Sequence, residues 1–93
     1  MSRTIYKFEL KDELCTIELP KGAKVILAGE KEGQTLVWFE VNRTNENERR
    51  VFKVFGTGWP IPMFFKHVYS WISVDRYHVW HLYELRESMK GAL

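Results

Sequence analysis

Three histidines, His67, His78 and His81, and a single cysteine, Cys15, are the side chains of this 93-residue chain best suited to metal or nucleophilic chemistry. In an extended strand successive side chains point to opposite faces, so His78 and His81, three apart, cannot share an ion without a bulge. Cys15 and His81 have the makings of a nucleophile and its base, but no third orienting group and no strained elbow motif goes with them. The sequence therefore predicts no catalytic residue, no metal ligand and no cofactor.

A second chemistry is phosphate binding. Gly56-Thr57-Gly58 follows a basic stretch carrying Arg49, Arg50 and Lys53, with Lys66 further on. Backbone N–H groups in such a turn can cradle an anion. The Lys-Ser/Thr of a P-loop and the third glycine of a dinucleotide fingerprint are both missing. The simpler reading is that the glycines permit positive φ where a strand ends, while Pro60 and Pro62 set the exit of the chain. Aromatic residues interleaved with cations from 49 to 66 also carry the ingredients of a single-strand nucleic-acid surface. Against it, Arg50, Val51, Lys53 and Phe55 do not separate into a basic face and an aromatic face. Nucleic-acid or nucleotide binding through Arg49, Arg50, Lys53, Thr57 and Lys66 is the alternative function.

The third chemistry is apolar contact. Trp59, Ile61, Met63, Phe64 and Phe65 crowd a segment punctuated by prolines, more apolar surface than a short connection readily buries. Exposed together, they would make a protein-binding patch, towards a partner or a second copy as a homodimer.

These residues must be held by short strands. Period-two alternation of Tyr6, Phe8 and Leu10 with Lys7 and Glu9 predicts a first strand over 4–10, and Cys15, Ile17 and Leu19 against Thr16 and Glu18 a second over 14–19. The polar turn at Lys11-Asp12-Glu13 suggests that these two form a hairpin. A nearly continuous apolar run over 23–28 predicts a central strand, joined by a glycine-bearing turn to another at 35–41. The polar stretch 42–48 reads as an exposed loop before a fifth strand at 49–55. Two aromatic and β-branched runs, 66–74 and 77–85, flank Asp75-Arg76 as a last hairpin. Pro62 could instead open a short helical turn within 62–69. The expected fold is all-β, a small antiparallel β-sandwich or barrel of about seven strands. Residues 1–93 form one domain with its core at 4–85 and a weakly patterned tail at 86–93.

Thr4-Ile5-Tyr6-Lys7-Phe8-x-Leu10, Leu19-Pro20-Lys21-Gly22-Ala23-Lys24, Gly56-Thr57-Gly58-x-Pro60-Ile61-Pro62 and Val79-Trp80-His81-Leu82-Tyr83-Glu84 occur in an order that resembles a family of small uncharacterised bacteriophage and prophage proteins. The chain departs from that pattern at Trp59, where many members are expected to carry His, and at Ser73, near a position where Thr is commoner. The resemblance implies a phage-encoded accessory protein in the host cytoplasm, and no reaction. With the apolar segment, it points to a non-enzymatic protein that binds a host or phage protein or assembles with itself.

Composition sets the outer limits. At 45% hydrophobic and 15% aromatic the chain can build a packed core. A net charge of +2 is too small to argue by itself for nucleic acid or a membrane surface. One cysteine makes no internal disulfide and suits a reducing compartment. No apolar run is long enough for a membrane span or a signal peptide.

Overall fold

The computed structural model describes residues 2–87. Seven strands form two antiparallel sheets: β1 (Arg3–Glu9), β2 (Cys15–Pro20), β3 (Lys24–Lys31), β4 (Gln34–Asn42), β5 (Asn47–Gly56), β6 (Phe65–Ile72) and β7 (Val79–Leu85). One sheet has the order β1-β4-β3 and the other β2-β5-β7-β6. The all-β expectation is met, with strands close to their predicted positions. The part of the predicted tail from residue 88 onward lies outside the described residues.

Alternation dictates the faces. On β1, Arg3, Ile5, Lys7 and Glu9 are exposed, and on β2, Cys15, Ile17 and Leu19 are buried while Thr16 and Glu18 are not. The two strands nevertheless do not pair. β1 pairs with β4 and β2 with β5, so the expected first hairpin is replaced by a crossing between sheets. One apolar face per strand is satisfied equally by lying beside a neighbour or across the core from it. The link between Glu9 and Cys15 is long enough to step the roughly 10 Å between stacked sheets.

β3 is an edge strand, and β4 takes the central place between β1 and β3. A register shift between Val25 and Leu27 interrupts the apolar run, leaving Ile26 and Leu27 exposed. β3 and β4 form the expected hairpin through Glu32 and Gly33, at φ 52° and 79°. Two successive positive φ values match the strand twist, and Gly33 meets that demand without steric cost.

β5 and β6 are both antiparallel to β7, which lies between them, so they run parallel to each other. Gly56 ends β5 opposite Trp80, while Phe65 opens β6 opposite Leu85. Residues 57–64 must therefore travel back along most of β7. The segment turns at 57–58 and 63–64 and has no regular structure between: the alternative helical turn near 62–69 does not form, and a single turn bond from Phe65 N–H to the Pro62 carbonyl leads into β6.

The main core lies between the sheets, with Leu19, Val37, Phe39, Val41, Phe52 and Leu82 at its centre. A second cluster, Val51, Phe55, Phe65 and Leu85, is built from positions of opposite parity on β5 and β7, hence on the outer face of the four-stranded sheet. Phe64 and Tyr83 pack against it. β5 and β7 are thus apolar on both faces, which is why the residues of 49–55 do not sort into one polar and one apolar set.

Candidate functional site

The crossover 57–64 divides the five apolar candidates. Phe65 is buried on Phe55, ring centroids 5.4 Å apart at 73°, and Phe64 is half-buried beside it. Trp59, Ile61 and Met63 remain in solvent, Trp59 at 52% and Met63 at 90% exposure. The exposed patch is therefore shorter than 59–65. Its two last residues serve the outer core.

Trp59 is placed by the turn that ends β5. Its N–H donates to the Gly56 carbonyl at 3.1 Å, and Gly58 takes φ 89°. A Cβ on Gly56 would lie 2.8 Å from the Trp59 indole, so the absent side chain is what lets the ring lie down there. The indole then meets Trp80 edge-on, centroids 5.9 Å apart at 77°, and Trp80 stacks on His78 at 5.5 Å and 15°. Around these rings is a cleft of about 430 Å³ lined by Trp59, Tyr77, His78, Val79 and Trp80 above Gly56 and Thr57. Tyr77 is 87% exposed, and Ile72 and Val74 in the same hairpin also face solvent. Trp59 and Trp80 border a second cleft of about 270 Å³ with Trp71, Glu13 and Glu30. The Trp71 Nε1–H is buried without an acceptor.

The hairpin tip is held by its own polar groups. Ser73 donates its hydroxyl to the Asp75 carboxylate, which also accepts from the Tyr77 N–H at 2.9 Å. These bonds, the Ser73 one foremost, hold the Asp75 carboxyl below its ordinary range, with His78 3.5 Å away adding to them.

The basic candidates do not form one surface. Arg50 faces the space between the sheets, where Nε and Nη2 meet the Glu84 carboxylate at 2.6 and 2.8 Å and Nη1 donates to the Ala23 carbonyl. The Glu84 bonds raise the guanidinium pKa above its ordinary value, against the opposing effect of burial. Arg49 is exposed on the other face of β5, opposite Glu18 in the register. Lys53 lies with its ammonium 5.2 Å from the Phe55 ring centre. Lys66 is exposed and stands opposite Glu84 on β6, and Thr57 is engaged with Val79 and His81. In the glycine turn, the Trp59 N–H is already bonded back to Gly56 and is not offered to an anion.

Cys15 is buried on β2, its thiol 3.0 Å from the Asp12 carbonyl. It lies on the inner face of the sheet whose outer face carries His81, so the two do not meet. What the strands do bring together is His67 and His81. Ser70 and His81 are register partners, and the Ser70 hydroxyl lies 2.7 Å from His81 Nδ1 and 2.8 Å from His67 Nε2. His81 Nε2 is 3.0 Å from Thr57 Oγ1. Reasoning from sequence missed this chain because it compared His81 only with His78 and Cys15. With the last hairpin centred on Asp75-Arg76, as the sequence predicts, Ser70 falls opposite His81. The register shift between His67 and Tyr69, which presents His67 on the same face, had no signal of its own. Among the described residues no three side chains of the His, Cys, Asp and Glu types converge as metal ligands.

No curated protein and no solved structure matches the chain. A family model does match over residues 1–92, and the chain belongs to that family, a domain of unknown function designated DUF7352.

Proposed function

We propose that this chain is a non-enzymatic protein-binding module that takes an apolar side chain of a partner protein into the cleft bordered by Trp59, Tyr77 and Trp80. The observation that carries this reading is the amount of large apolar surface left in solvent around a formed cleft. Tyr77 lies at its rim, Trp59 forms its wall, and Ile61 and Met63 follow on the same crossover. Apolar groups grouped in this way cost solubility and are typical of contact surfaces, whereas scattered single ones are not. Aromatic residues dominate the energetics of such surfaces, since they bury large area at small conformational cost. The resemblance of the sequence to small phage and prophage proteins extends the proposal to a phage accessory protein acting in the host cytoplasm.

The test is affinity purification of tagged protein from phage-infected and from expressing cells, beside a variant carrying Trp59→Ala and Tyr77→Ala. A partner retained by the original chain and lost by the variant supports the proposal. Absence of any partner together with a strictly monomeric mass at high concentration sinks it. A dimer abolished by the same substitutions would make the partner a second copy of the chain. Nucleic-acid binding has less support, because Arg50 is consumed by Glu84, Lys66 lies on the opposite face of the sheet from Arg49 and Lys53, and Lys53 is drawn over Phe55.

A further inference from the structure

The hydrogen-bond chain on the outer face of the four-stranded sheet has only one consistent direction while both imidazoles are neutral. The Val79 carbonyl can only accept, so the single proton of the Thr57 hydroxyl goes to it, at 3.2 Å. Thr57 Oγ1 must then accept from His81, which places the proton of that ring on Nε2. His81 Nδ1 is left with its lone pair and takes the Ser70 hydroxyl proton, and Ser70 in turn accepts from His67 Nε2–H. Thr57 thus does for His81 what an outer-sphere partner does for a metal-bound histidine. It holds the far nitrogen protonated and the near nitrogen free, aimed at a fixed point.

The His67 nitrogen converges on that same point from the adjacent strand, with ring centroids 6.5 Å apart. For His67 the required tautomer change is a transfer of its proton to Nδ1, which is open to solvent exchange on this exposed residue. The Ser70 hydroxyl holds the point between the rings, so an ion enters as that side chain rotates aside, which leaves its oxygen available as a weak donor. We infer that His67 and His81, with Ser70 between them, form a surface chelate for a late first-row divalent ion such as Cu²⁺, Ni²⁺ or Zn²⁺. Imidazole suits these ions, and the hard cations Mg²⁺ and Ca²⁺ are excluded by the lack of any carboxylate in the cluster. Tyr83 stands edge-on to His67 at 5.3 Å, and Lys53, on the same face from β5, is drawn over Phe55. Water completes the coordination, as the outward position of both rings allows. This inference is independent of the protein-binding proposal, which uses neither His67 nor Ser70.

The test is titration of the tag-free chain with CuCl₂, NiCl₂, ZnCl₂ and MgCl₂ by calorimetry, together with NMR during addition of substoichiometric Cu²⁺. One ion per chain is expected, with Cu²⁺ tightest, Ni²⁺ next and Mg²⁺ silent. Cu²⁺ should broaden first the resonances of His67, Ser70 and His81, a readout that needs no variant. His67→Gln and His81→Gln should each weaken binding at least about tenfold, and Thr57→Val by about tenfold through the lost outer-sphere bond. His78→Gln should leave it unchanged, since His78 is stacked on Trp80 in the hairpin. Absence of saturable Cu²⁺ and Ni²⁺ binding overturns the inference. So does broadening centred on His78, or affinity that survives loss of both His67 and His81.

Discussion

Arg50 and Glu84, thirty-four residues apart, meet between the two sheets through a two-pronged ion pair with N···O distances of 2.6 and 2.8 Å and side chains only 13% and 12% exposed. Their strands are neighbours, and the pair ties β5 to β7 while the third guanidinium nitrogen reaches the carbonyl of Ala23, just before β3. Removing one partner strands the other charge in a half-dry site. Glu84→Ala or Arg50→Ala is expected to cost roughly 2–4 kcal/mol in urea unfolding, several times the value of an exposed pair. A loss below about 1 kcal/mol would show the pair to be energetically idle. Because the arginine pKa is raised, its contribution is complete at every pH below the unfolded arginine value and disappears only above it. Arg50 therefore adds no pH dependence near neutrality.

Gly56 and Trp59 give a second expectation. A methyl group on residue 56 would press on the indole at 2.8 Å, but Trp59 is half in solvent and can swing out. Gly56→Ala should therefore cost no more than about 1 kcal/mol of stability, below the usual range for overpacking a closed core. The edge-on Trp59–Trp80 pair is expected to give an exciton couplet in circular dichroism, which Gly56→Ala should abolish. Retention of that couplet would mean that the ring is not seated on the glycine.

The division of the crossover can be tested by a paired comparison. Met63→Ser should leave thermal stability within about 0.5 kcal/mol, since the side chain is exposed and the bond from Arg86 goes to the Met63 backbone carbonyl, which the substitution keeps. Phe65→Ala should cost about 3 kcal/mol or more, since it opens a cavity beside Phe55 and Leu85. Equal effects at the two positions would contradict the placement of Phe65 in the outer core.

Asp75 should titrate below the ordinary carboxylate range, and Ser73→Ala should move its midpoint upward, because the Ser73 bond is the leading cause of the depression. A carboxylate depressed in the folded state adds stability that is present above its unfolded pKa and lost as pH falls through the folded one. The variant should therefore show a shallower loss of stability on the acid side. Carbon-13 NMR of the Asp75 carboxyl group measures this directly, and an unmoved midpoint would count against the hydrogen bond.

By itself the sequence determined the number and phase of the strands. Alternation along Tyr6, Phe8 and Leu10 and along Cys15, Ile17 and Leu19 predicts which side of each strand is buried, because adjacent side chains must point apart. The β3–β4 and β6–β7 hairpins were legible as well, since their turns lie between the strands they join. Alternation is local, however, and does not name a partner. Pairing of β1 with β4 and β2 with β5, and the passage of residues 57–64 along β7, came only from how the seven strands can stack to cover one another's apolar faces. That stacking decided that Phe65 is core while Trp59 and Met63 are not, that Arg50 answers Glu84 rather than a phosphate, and that His67 and His81 share Ser70. Each of these turns on contacts between residues distant in the chain, whose side-chain types are the same whether or not the strands meet.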